Sequence, residues 1–73
     1  MKNDVYEKFA ESLMIERKKR NMTRAELAAI VGVHPSQIVG YEHKKHMPSI
    51  SVAVKLSEVF GMTVNRMCGD ING

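Results

Sequence analysis

Residues 24–42, RAELAAIVGVHPSQIVGYE, constrain the fold more than any other stretch of this chain. Apolar or small residues fall wherever two short helices would touch: Leu27 and Ala28, then Val31-Gly32-Val33, then Ile38 and Tyr41. Thr23 stands where it can cap the first of these helices, and Glu26 holds the matching position of a capping box. Gly32 supplies the left-handed backbone that a sharp bend needs. Pro35 suits the first position of the second helix, where its missing N–H would have no partner anyway. Leu27, Ala28, Ile30 and Val31 are expected to face inward from the first helix, and Ile38 and Tyr41 from the second. Ser36, Gln37 and Gly40 are then left on the outer side.

The flanks read as three further helices. Asp4 can cap the first, with Glu7 completing a box, and Phe9, Leu13 and the stem of Arg17 recur at i, i+4 as one buried stripe. This helix should end near Arg20-Asn21, with Met22 dropping into the core. His43 to Met47 is a basic loop closed by Pro48. Ser49 can cap a fourth helix carrying Ile50, Ala53, Val54 and Leu56, then Val59 and Phe60, until Gly61 ends it. Thr63 caps a short fifth helix with Val64 and Met67 inward, and residues 70–73 read as a frayed tail. With no repeat, low-complexity tract or linker, the expectation is one all-α domain over residues 1–73, a bundle of five helices.

At 73 residues with 44% apolar content, the chain sits near the lower limit for folding without staples. Only Tyr6, Phe9, Tyr41 and Phe60 are aromatic, so aliphatic residues and the six methionines must fill the core. The single Cys68 excludes an internal disulfide and suits a reducing cytoplasm. No apolar run reaches the roughly 20 residues of a membrane span, and the first residues lack a secretory signal. Net charge is +3, with the cations grouped in Arg17-Lys18-Lys19-Arg20, Arg24 and His43-Lys44-Lys45-His46. Flanking the central unit, these groups are expected to form a footprint for phosphates, although any one run alone also describes a solvated face.

Two helices around a tight turn are the layout of a helix-turn-helix, whose second helix fits the major groove of DNA. The chain resembles the phage-repressor (Cro-like, XRE) helix-turn-helix family over about residues 9–68. The resemblance rests on Arg17, Met22-Thr23, Glu26-Leu27-Ala28, Gly32-Val33, Glu42, Pro48-Ser49, the Leu56 to Phe60 stripe and Gly61-Met62-Thr63. It implies a structural ion pair between Arg17 and Glu42. It implies base reading by Pro35, Ser36, Gln37 and Gly40, with Gln37 the best candidate to bond an adenine edge. It also implies phosphate contacts from Thr23, Arg24, Lys44 and Lys45. Such regulators bind near-palindromic operators as two-fold dimers, so a homodimer through the fifth helix is expected, using Val64, Met67 and Ile71.

Pro35 and Gly40 stand where that family usually carries base-contacting side chains, and Gly40 costs its helix roughly 1 kcal/mol against alanine. Lys44 stands where the family often has glycine. His43 and His46 have a ligand-like spacing, but a closed zinc site needs about four ligands and only His34 and distant Cys68 could add to them. No metal or cofactor is expected, nor a small-molecule ligand. Cys68 lacks a base–acid constellation, so the chain reads as no enzyme. The expected function is that of a cytoplasmic, sequence-specific DNA-binding transcriptional regulator, a repressor acting as a homodimer. The alternative is a protein-interaction module, antitoxin-like or an adaptor, that keeps the fold with little direct base readout.

Overall fold

Each helix among the described residues ends one or two positions before a residue in the left-handed region, and those stops set the architecture. The computed structural model describes residues 4–69, with Asp4 described through its backbone alone. Five α-helices follow in order: α1 Asp4–Lys19, α2 Arg24–Val31, α3 Pro35–Glu42, α4 Ile50–Phe60 and α5 Val64–Met67. Asn21, Gly32, Lys44, Gly61 and Gly69 have φ of 55°, 79°, 64°, 65° and 88°. At Gly32 the left-handed turn sends the backbone N–H to the Ala28 carbonyl and swings the chain directly into α3. Lys44 adopts the same region with a Cβ, which costs about 1–2 kcal/mol. The expected cap at Asp4 and the tail at 70–73 lie outside the described residues.

Leu13, Leu27, Ile38, Leu56 and Met67 are fully buried, with Phe9, Val31, Tyr41, Ala53 and Phe60 completing one core fed by all five helices. None of the described helices is long and apolar enough to cross a membrane. α1 contributes Phe9, Leu13 and the buried Arg17 as the expected i, i+4 stripe. Three apolar side chains expected at core-facing spacing lie outside it instead. Ile30, Ile50 and Val54 are 60%, 84% and 40% exposed. At about 100° per residue, Leu27, Ala28 and Val31 already fill the inward arc of α2, which puts Ile30 roughly a quarter-turn off its centre. Val54 is displaced similarly on α4, and Ile50 projects from that helix's first turn.

Polar ties hold the frame. Arg20 donates to the Phe60 carbonyl at 2.9 Å and lies 5.0 Å above the Phe60 ring, closing the C-terminal end of α4 from α1. The same guanidinium holds Glu16 at 2.7 Å. Ser12 Oγ donates to the Met67 carbonyl at 2.8 Å, tying α1 to α5. The Thr23 hydroxyl accepts from Glu26 N–H at 3.0 Å while the Glu26 carboxylate accepts from Thr23 N–H at 2.8 Å, the reciprocal box expected from sequence. Thr23→Ala should therefore lower stability by about 1 kcal/mol in urea denaturation, since it orphans a helix donor. A change below about 0.3 kcal/mol would show that water replaces the cap without loss.

Candidate nucleic-acid interface

The outer surface of α3 takes its position from one buried carboxylate. Glu42 ends α3 with its side chain fully covered, and Arg17 of α1 meets it in a two-point contact, Nε to Oε2 at 2.7 Å and Nη2 to Oε1 at 3.3 Å. The remaining terminal nitrogen of Arg17 donates to the Met22 carbonyl at 2.8 Å, so one guanidinium fixes both α3 and the turn before α2. This is the pair the resemblance implied, and it is buried. Burial alone pushes the Glu42 carboxyl upward, but the hydrogen bonds and charges of Arg17 and Arg24 outweigh it and hold the group below its ordinary value.

Arg24 enters that cluster instead of standing free. Its Nε donates to Glu42 Oε1 at 2.9 Å while 40% of its side chain stays exposed. Two guanidiniums against one carboxylate leave a net +1 at the junction of α1, α2 and α3, with Arg24 as the member open to solvent. The Arg17 to Arg20 run proves a thinner phosphate footprint than its sequence suggested. Arg17 is buried in the pair, and Arg20 and Lys19, though exposed, are held by Glu16 at 2.7 and 3.5 Å, leaving Lys18 as the exposed cation of the run with no ion pair among the described residues. Across the unit, His43, Lys44 and Lys45 are exposed as well. Lys44 lines a hollow of about 260 Å³ with Ala10, Glu11, Met14, Ile15 and Glu42.

At its other end α3 is capped by a histidine. His34 Nδ1 accepts from Ser36 N–H at 3.2 Å and lies 2.9 Å from Ser36 Oγ, which assigns the proton of the neutral ring to Nε2. Gln37 Oε1 returns the favour by accepting from His34 N–H at 3.0 Å. Sequence reasoning gave His34 no such role, although a polar residue just before Pro35 was the available signal. Ser36 and Gln37 are exposed, as expected, with Pro35 half-buried at the first helical position. Gln37 therefore starts from a capping geometry, and bonding an adenine edge requires its carbonyl oxygen to share or release the cap. Its amide nitrogen has no hydrogen-bond partner among the described residues.

Gly40 overturns an expectation. It is buried, not outward-facing, because the imidazole of His46 folds back from the loop after α3 and lies on it. A Cβ at position 40 would run into His46 Cε1 and sit 2.9 Å from its Nε2, so the ring would have to shift. Tyr41 holds the ring edge-on, with centroids 5.1 Å apart and planes at 82°. Position 40 thus offers no surface of its own for a base. His43 and His46 belong to no cluster of three or more metal-ligating side chains among the described residues. Met67, expected at a dimer contact, is 0% exposed within its own core and is unavailable to a partner, whereas Val64 is partly buried against that core. Ile71 lies outside the described residues. Cys68 is buried, and burial raises its thiol above the ordinary value.

A profile described as helix-turn-helix matches residues 13–66. The chain is similar to an uncharacterized HTH-type transcriptional regulator of Archaeoglobus fulgidus, 44% identical over 48 residues, covering 66% of this chain and 68% of that protein. It is also similar to the cryptic phage CTXphi transcriptional repressor RstR of Vibrio cholerae, 27% identical over 62 residues, covering 85% of this chain and 55% of the repressor. The match runs from Leu13 in α1 to Arg66 in α5 and so takes in the whole unit just described; the chain belongs to the helix-turn-helix family.

Proposed function

We propose that the chain is a non-enzymatic, sequence-specific DNA-binding regulator of transcription in the cytoplasm, a repressor that binds a near-palindromic operator as a homodimer. The observation that carries this reading is the exposure of Ser36 and Gln37 on the first turn of a helix locked from behind by the Arg17–Glu42–Arg24 cluster. A rigidly held helix start with two hydrogen-bonding side chains is what direct readout in the major groove requires. Arg24, Lys44 and Lys45 hold phosphates on either side, aided by the backbone near Thr23, and two copies supply the grip that one short unit lacks. With Met67 enclosed, Val64 remains as the fifth-helix residue at the contact between copies.

Fluorescence anisotropy with duplexes from a binding-site selection tests this reading across a salt series. Log affinity should fall linearly with log salt, and Lys45→Ala should reduce the slope by about 1. Gln37→Ala should cost about 1–3 kcal/mol at one base pair per half-site and relax the choice there. An equal loss on every sequence would remove Gln37 as a reader. No binding to any duplex at low salt would favour the second reading, a protein-interaction module with the fold but without base readout. That reading draws on the covered Gly40 and the engaged Gln37 amide.

A further inference from the structure

The outer face of α3 carries a side chain that does not belong to α3. Ser36, Gln37 and position 40 share one face, because residues three and four apart lie above one another on a helix. Two of them are exposed side chains, and the third is a glycine covered by the imidazole of His46. The ring occupies the volume where a residue-40 side chain would begin, and Tyr41 braces it from the side. Neither ring nitrogen of His46 has a hydrogen-bond partner among the described residues, and the residue as a whole is exposed. The glycine weakens α3, and the ring it admits is the visible return for that cost.

We propose that His46 is a specificity-determining residue, supplied from the loop after α3, that reads a base in place of the side chain absent at Gly40. This rests on the DNA-binding reading above. An imidazole N–H is a donor, and guanine presents two adjacent acceptors, O6 and N7, on its major-groove edge. One N–H can lie between those two acceptors, whereas adenine offers it N7 alone and sets an amino donor beside it. His46 therefore selects guanine at the base pair facing the middle of α3, one step along from the pair met by Gln37. Gly40 and His46 act as one unit, because any side chain at position 40 displaces the ring.

The test uses the full chain and duplexes recovered by selection, with each base pair then varied singly in anisotropy titrations. His46→Ala should lose roughly 10- to 100-fold of discrimination at one guanine per half-site and little elsewhere. Gly40→Ala should reproduce the same loss at the same base pair while keeping or raising Tm, since alanine favours the helix and the displaced ring is the mobile end of a loop side chain. The double variant should lose no more discrimination than either single one. In the free protein, a nuclear Overhauser contact between the His46 ring and the Gly40 α-protons should be present. If wild type binds but His46→Ala keeps its base preferences, or loses affinity equally on all sequences, the inference falls and the DNA-binding reading stands. If wild type binds no duplex at low salt, both fall. Absence of the ring contact in the free protein also overturns the inference.

Discussion

Glu42→Ala should lower the unfolding free energy by about 3–5 kcal/mol, because it leaves the buried guanidinium of Arg17 without its partner. For a domain of this size that is most of the expected stability, so the variant should be largely unfolded at modest urea concentration. Glu42→Gln should cost less, since one amide oxygen still accepts from Arg17. A paired replacement, Arg17→Met with Glu42→Met, should recover much of the loss. It removes both charges, and Arg24 is exposed enough to solvate its own. A loss below about 1 kcal/mol for Glu42→Ala would mean that the cluster behaves as a solvated surface pair.

The same carboxylate gives the protein a defined acid sensitivity. Its folded pKa lies below the ordinary value, so its contribution is fully present above the unfolded carboxylate pKa of about 4.3 and disappears as pH falls through the lower folded pKa. Glu16 adds to this acid slope in the same sense, chiefly through the hydrogen bond from Arg20. Stability of Glu42→Gln measured from neutral pH down to about pH 3 should therefore be flatter than that of wild type, though not level. Identical slopes would show that Glu42 keeps no special affinity for its charged form.

Ile38→Ala should cost about 2–5 kcal/mol, and Ile38→Val about 0.5–1.5 kcal/mol. Ile38 is 0% exposed, and α3 has only eight residues, too few to hold a helix without packing. Apart from Glu42, its anchorage in the core is Ile38 and Tyr41. Urea denaturation at neutral pH checks the magnitude. A cost under about 1 kcal/mol for the alanine variant would show that neighbouring side chains collapse into the space.

The parts of this molecule that were legible in the sequence are those fixed by local chemistry. Thr23 with Glu26, Gly32 and Pro35 each answer a backbone requirement that can be stated without knowing the fold, and together they place α2, the turn and α3. The Arg17–Glu42 pair joins residues 25 positions apart, and resemblance to related sequences was needed to bring them together. What stayed hidden depends on where loops travel. Gly40 looked like a weak point on an outer face, and only the path of residues 43–46 shows that His46 fills it. Arg24 read only as a phosphate contact, because nothing local reveals that the Glu42 carboxylate has an acceptor position left for it. Ile30, Ile50 and Val54 follow helical spacing well enough, but spacing does not say how wide an arc the neighbouring helices cover.

The hydrogen bond from Ser12 to the Met67 carbonyl has a consequence for how the chain is born. α1 is made first and α5 last, yet they lie side by side and share one core. A growing chain that has not yet delivered Met67 leaves one flank of α1 bare, whatever the state of α2 and α3. The core is therefore complete only once α5 has been made, and a chain cut short before Val64 leaves bare the apolar surface that Met67 covers.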